Sequence, residues 1–223
     1  MRIKCINLER RSDRKNNMIN LLGKYNLLNY CDFFKAFDGQ QLKPTDELRK
    51  LFQNNNFGNK MGVIGCAMSH YALWRQLVKD NKYDKYLIFE DDINLTPSFN
   101  ADCKKAISKL EAYDVLYLGH SVHKYKMDRY KNQLKDLVDI KIIKHDVALT
   151  VGGTFAYVIT KAGACKFVKY IEKNGIKDPI DVFMFKFDNV NHYDVLPHLV
   201  SSVYVSSVEG VDSDIQYNKN KLF

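Results

Sequence analysis

Apolar residues fall along the chain in two rhythms, and the alternation between them outlines a fold. Ile3, Cys5, Ile6 and Leu8 mark a first strand, "FFKAFDG" (33–39) a second that closes in an Asp-Gly turn, and "YLIF" (86–89) a third with no polar break. "DVLYLG" (114–119), "IKII" (140–143), "GGTFAYVIT" (152–160), "YDVL" (193–196) and "SVYV" (202–205) continue the series. Between them apolar residues recur in steps of three and four, which predicts helices. Met18, Leu21 and Leu22 follow Ser12, a candidate N-cap, and precede Gly23, where the helix is expected to end or fray. Ile64, Ala67, Met68, Tyr71, Trp74 and Val78 form one face over 62–79, and Phe99, Cys103, Ala106, Ile107 and Leu110 another over 98–111. A helix from Lys161 stops at Asn174-Gly175, and "DPIDVFMFKF" (178–187) is a proline-started helical segment. Residues 40–61 are polar, with "QNNNFGNK" expected as a mobile loop, and 120–139 read as a loop or insertion. Strands alternating with helices imply an α/β layered fold with a mostly parallel central sheet flanked by helices. Ligands of such sheets bind at the carboxyl ends of the strands.

Composition narrows the class. A chain of 223 residues with 46% hydrophobic and 27% charged content can bury a single substantial core, so one domain over 1–223 is expected. The net charge of +8 suits an anionic partner, whether a polyanion, an anionic membrane surface or a phosphorylated small molecule. Basic and aromatic residues interleave in "HKYKMDRYKNQLK" (123–135), as in nucleic-acid clamps, but no recognised binding motif accompanies them. Five widely spaced cysteines, at 5, 31, 66, 103 and 165, argue for reduced thiols in a cytoplasmic protein and against a disulfide framework or a cysteine zinc site. The apolar stretch at the N-terminus is too short for a signal peptide, and no run approaches a membrane span. Any membrane contact is therefore expected to be peripheral.

The candidate chemistry gathers where "YLIF" ends. Glu90, Asp91 and Asp92 follow that buried strand directly, and three adjacent carboxylates need a cation nearby. Oxygen donors of this kind suit Mg²⁺ or Mn²⁺ bridged to substrate phosphates; the plainer alternative is a solvated turn. Arg10, Arg11 and Arg14, just past the first strand, match phosphate oxygens, or mark an exposed helix start. Asp38 is a turn residue that could also hold ribose hydroxyls. Ser69 and His70 lie mid-helix, where a histidine is commonly a satisfied core residue. Asp181 is either a helix-start acid favoured by the dipole or a catalytic base. Asp212 and Asp214 form a second acidic group that could complete a metal shell. A nucleophile elbow, a Walker loop and GxGxxG are all missing, which counts against hydrolase, kinase and dinucleotide readings.

Taken in order, "CINLERRSDRKNNM", "FFKAFDGQQL", "MGVIGCAMSHYALWRQLV", "YLIFEDDINLTPSF", "DVLYLG", "GGTFAYVITKAGACKFV", "PIDVFM" and "SDIQ" resemble glycosyltransferase family 25, over residues 5–216. This family includes lipooligosaccharide glycosyltransferases and collagen hydroxylysine galactosyltransferases. The resemblance implies a GT-A-like nucleotide-sugar-binding fold. It also implies inverting transfer of galactose or glucose from a UDP-sugar, usually with Mn²⁺, to a hydroxyl of a glycan, lipooligosaccharide or hydroxylysine-type acceptor. On this resemblance the acids are the family's DxD-like motif, with Asp92 on the metal and Glu90 and Asp91 on ribose or coordinated water. Asn7, Leu8, Arg10 and Arg14 match its donor-binding start; Asp38, Ser69 and His70 match later pocket positions. Asp181 in "PID" is the candidate base. Residues 1–119 would form the donor side and 120–223 the acceptor side, though 120–139 match no family motif. Two rivals remain at this point: a nucleotidyltransferase or phosphohydrolase, and a non-catalytic basic module that binds polyanions.

Overall fold

The computed structural model describes residues 1–202 and 220–223. Nine strands are described: β1 (Arg2–Asn7), β2 (Cys31–Lys35), β3 (Lys85–Phe89), β4 (Ile93–Leu95), β5 (Val115–Val122), β6 (Lys141–Lys144), β7 (Thr150–Thr160), β8 (His192–Leu196) and β9 (Val200–Ser202). Seven α-helices join them: α1 (Ser12–Lys24), α2 (Asp46–Phe52), α3 (Met61–Lys79), α4 (Phe99–Lys109), α5 (Met127–Leu134), α6 (Lys161–Asn174) and α7 (Ile180–Lys186). Seven strands make one sheet in the order β2-β1-β3-β7-β5-β8-β6, and β4 pairs with β9 in a small second sheet. The pairings set β2, β1, β3, β5 and β8 in one direction and β7 and β6 against them. The expected α/β architecture with a largely parallel sheet is therefore what the chain adopts.

Both faces of the sheet are covered, which is why its central strands carry unbroken apolar runs. Side chains alternate across a strand. Tyr86 and Ile88 of β3 thus join Tyr117 and Tyr157 beneath α3, α6 and α7, in a core that includes Ile64, Trp74 and Phe167. Leu87 and Phe89 point the other way, into a second core with Met18 and Leu22 of α1 and Phe99 and Cys103 of α4. Two glycines explain how closely α3 approaches the sheet edge. A Cβ on Gly65 would stand 2.5 Å from the Phe37 carbonyl oxygen, and one on Gly39 would stand 2.1 Å from that of Met61. Backbone meets backbone there, so "FDG" and "GVIG" are two halves of one contact.

The structure departs from the sequence reading in three places. The residue preceding α1 is Arg11, without a side-chain cap; Ser12 is already helical, and the helix runs through Gly23 to Lys24. The segment 40–61 contains α2, whose start is capped by the Thr45 hydroxyl accepting from the Leu48 amide. Asp46 and Glu47 in its first turn favour the helix dipole, and buried Phe52 anchors its end. The segment 120–139 is likewise partly ordered: β5 continues to Val122 and α5 follows. Residues 203–205 of the expected last strand lie outside the described residues. All five cysteines are free thiols. Among the described residues, no helix is long and apolar enough to cross a membrane.

Candidate active site

The carboxyl ends of β1 and β3, adjacent parallel strands, deliver the acidic residues and their partners to one place. Glu90 is still held to the sheet, its amide donating to the Phe155 carbonyl of the neighbouring β7 at 2.9 Å. The chain then turns, presenting Asp91 toward α1 before β4 begins. Asn7, the last residue of β1, donates its side-chain amide to Asp91 Oδ2 at 2.6 Å. Arg14, one turn into α1, donates to Asp91 Oδ1 at 2.9 Å and stands 3.6 Å from Asp92 Oδ2. Both oxygens of Asp91 are thus engaged by the protein itself. Burial nevertheless raises its carboxyl, with Arg14 opposing.

Asp92 is in a different condition. Its Oδ1 is buried and has no hydrogen-bond partner among the described residues. Burial first, and then the charge of Glu90, push this carboxyl up to about 7, with Arg14 opposing and Asp91 adding to the rise. An orphaned carboxylate oxygen beside two more acids fits a divalent cation. The donor set of hard oxygens suits Mn²⁺ or Mg²⁺ better than a thiophilic ion.

Glu90 faces the opposite wall, formed by α3. His70 Nε2 lies 3.8 Å from Glu90 Oε1, while His70 Nδ1 is 2.8 Å from the Tyr157 hydroxyl. Trp74 donates to that same hydroxyl at 3.0 Å. With Tyr157 accepting from Trp74, its proton is directed to His70 Nδ1, and the remaining ring N–H faces Glu90. Three buried aromatic side chains therefore aim one N–H at the acidic group. Ser69 turns the other way: it donates to the Gly65 carbonyl at 2.7 Å and accepts from the Phe37 amide at 2.9 Å, fastening the Phe37–Gly39 segment to α3.

Asp181 reaches the same region from the far side. It stands in the first turn of α7, where its Oδ2 accepts from the Gly153 amide and its Oδ1 from the Val182 amide, both at 2.8 Å. Gly152 and Gly153 at the start of β7 have φ of 143° and 67°, and a Cβ on Gly152 would lie 2.8 Å from Asp181 Oδ2. The "GG" is thus the cradle of this carboxylate. Cys66 links the two halves: burial, and then the charges of Glu90, Asp181 and Asp92, push its thiol well above its ordinary value.

Of the remaining expected residues, Arg10 and Asp38 pair with each other at 2.9 Å on the rim, and Asp38 also accepts from the Gln40 amide. Leu8 is half-buried, and its carbonyl accepts from the Arg11 amide in the turn that starts α1. Asp212 and Asp214 lie outside the described residues. The sequence reading missed Tyr157, Trp74, Cys66 and the Gly152-Gly153 pair. Only the two glycines carried a signal, since a doublet at the start of a strand marks a backbone special.

The acidic triplet closing a central strand gathers ionisable side chains at the carboxyl edge of the sheet. The sequence comparisons make the family specific: the model of glycosyltransferase family 25 (LPS biosynthesis protein) matches residues 1–184, and the chain belongs to that family. A protein of Acanthamoeba polyphaga mimivirus, itself named a putative glycosyltransferase, is 34% identical over 230 residues, covering 100% of this chain and 69% of its own length. A glycosyltransferase 25 family member of Aedes aegypti is 31% identical over 86% of this chain. Human procollagen galactosyltransferase 2 is 26% identical over 80%. The matches span 32% and 29% of those last two proteins, so the chain corresponds to about a third of each.

Proposed function

We propose that this chain transfers a hexose, galactose or glucose, from a UDP-sugar to a hydroxyl of a glycan, lipooligosaccharide or hydroxylysine-type acceptor, with inversion and with Mn²⁺ or Mg²⁺. The observation that carries the reading is Asp92: a buried carboxylate oxygen without a partner, beside Glu90 and Asp91 at the carboxyl end of a central strand. In this reading Asp92 holds the cation and Glu90 stands beside it. Asp91 is tied to Asn7 and Arg14 and serves chiefly to fix the loop. When bound, the cation would neutralise negative charge on the departing diphosphate. Arg10 on the rim stands where it can reach the nucleotide, if it exchanges Asp38 for a phosphate oxygen.

Inversion needs one base on the face opposite the leaving group. Asp181 fits that role, because two backbone amides fix its orientation and each oxygen keeps a further lone pair to take the acceptor proton. In this reading roughly 120–223 would form the acceptor side and roughly 1–119 the donor side. The test is UDP release from UDP-galactose and UDP-glucose, with and without Mn²⁺, across a panel of sugar and hydroxylysine acceptors. Acceptor-dependent release requiring the ion is expected. Nucleotide breakdown that ignores every acceptor would instead favour a phosphohydrolase, and indifference to both UDP and Mn²⁺ a binding module.

A further inference from the structure

A second cluster, unused by the chemistry above, lies deeper along the same edge of the sheet. His120 near the end of β5, His145 between β6 and β7, and Asp194 on β8 each offer one ligand atom, and these atoms lie within 4.8 Å of one another. His145 Nδ1 is 2.8 Å from Asp194 Oδ1, and His120 Nε2 is 3.4 Å from that same oxygen. His198, just after β8, sets its ring centroid 4.4 Å from that of His120. All four side chains are buried or nearly so. Phe185 of α7 seals the group, stacking on His145 with centroids 4.9 Å apart.

Hydrogen bonding leaves this cluster incomplete. The Nε2 atoms of both His120 and His198 are buried and have no hydrogen-bond partner among the described residues. His120 Nδ1 lies 3.3 Å from the Ser121 carbonyl, an acceptor, so the ring proton belongs there. That leaves the Nε2 lone pair facing a carboxylate oxygen. Two electron-rich atoms aimed at each other across 3.4 Å repel unless a proton on Nε2 or a metal ion lies between them. His145 repeats the pattern: Nδ1 faces Asp194, while Nε2 lies 3.4 Å from the Thr150 hydroxyl, which can accept its proton. Each imidazole thus turns one nitrogen inward and gives the other a neutral acceptor, the outer-shell arrangement of metal-bound histidines.

We propose that His120 Nε2, His145 Nδ1 and Asp194 bind a late first-row divalent ion of the Zn²⁺ type, with His198 as the fourth donor. Mixed imidazole and carboxylate donors select such an ion over the Mn²⁺ or Mg²⁺ suited to an all-oxygen site. The ligands come from β5, the β6–β7 connection, β8 and the β8–β9 connection. A closed centre there would staple four segments beneath α7, the helix that presents Asp181. Its role is structural.

The test strips the full-length protein with a chelator, then titrates Co²⁺ and Zn²⁺ while following the cobalt d–d bands and Tm. The wild type and Asp92→Ala should each take up about one Co²⁺ with a tetrahedral-type spectrum, displaced by Zn²⁺, and both should gain Tm with Zn²⁺. His145→Asn puts a side-chain N–H toward Asp194 in place of the ligand nitrogen, so it should fold and lose both responses. Three results would overturn the proposal: no tetrahedral cobalt spectrum, loss of the spectrum in Asp92→Ala, or a Zn²⁺ response undiminished in His145→Asn. Any of these would leave a metal-free His120–Asp194 ion pair as the better description.

Discussion

Two clusters of ionisable side chains sit on one sheet, one at its carboxyl edge and one among its strands, and they solve the problem of buried charge differently. At the end of β3, Arg14 faces Asp91 and Asp92 beside Glu90, and among the described residues Asp92 is without a hydrogen-bond partner on one oxygen. Among β5, β8 and the β6–β7 connection, one carboxylate faces imidazoles that can be neutral or charged, and the group is sealed by Phe185. The first retains accessible surface, with the Glu90 side chain 27% exposed and Asp92 18%, whereas Asp194 and both facing histidines are at 5% or less. In the proposed function the first would admit an ion with its substrate and release it. The second is fit to keep what it holds. Hard oxygens at an open mouth and imidazoles in a closed one are the same fold's answers to exchange and permanence.

The contrast breaks most visibly at Asp181, on the helix that roofs the closed cluster while its own carboxylate faces the open one. Asp181→Asn should lower sugar transfer by about 10²- to 10⁴-fold, the usual contribution of a positioned base, while UDP affinity by calorimetry changes little. Equal loss of UDP binding would remove the assigned role. Arg14 comes next, because its guanidinium pairs with Asp91 and faces Asp92. Arg14→Leu leaves Asp91 buried without its ion-pair partner and should cost about 3–5 kcal/mol in urea unfolding. A cost near zero would mean that Asp91 does not depend on it. Gly65→Ala should cost about 1–3 kcal/mol through its clash with the Phe37 carbonyl, despite alanine's better helix propensity. Unchanged stability there would show that α3 can back away from the sheet edge.

The smallest effect concerns pH. Asp92 sits at about 7 in the folded protein against 3.8 for an ordinary aspartate, so between those values the folded state binds the extra proton. Stability of the chelator-treated protein should therefore fall as pH rises from about 4 to 7, and Asp92→Asn should flatten that part of the profile. The expected difference is on the order of a few degrees in Tm. Stability rising over that interval by an amount that Asp92→Asn abolishes would reverse the assigned sign.

The sheet and the acidic mouth were legible because burial on both faces writes itself as "YLIF" followed at once by charge. The division of labour among the three acids was not, because it is set by Asn7 and Arg14, which lie 84 and 77 residues from Asp91. The histidine cluster was invisible for the same reason. Residues 120, 145, 194 and 198 share no motif spacing, and only the pairing of β5 with β8 and of β6 with β8 brings them together. Helix α2 had a readable signal in Thr45-Asp46-Glu47 before Leu48, Leu51 and Phe52, masked by the polar stretches around it. The resemblance led to Ser69 as a pocket position; in the structure its hydroxyl is spent on the Phe37 amide and the Gly65 carbonyl.

The proposed chemistry stands or falls on Asp92 holding the ion that carries the sugar nucleotide. Calorimetric titration of UDP into wild type and Asp92→Ala, with and without Mn²⁺, tests this most directly. The wild type should bind UDP at least about tenfold more tightly with the ion, a coupling of about 1.4 kcal/mol, and Asp92→Ala should show no such gain. Equal UDP affinity with and without Mn²⁺ in the wild type, or an undiminished Mn²⁺ effect in Asp92→Ala, would contradict it.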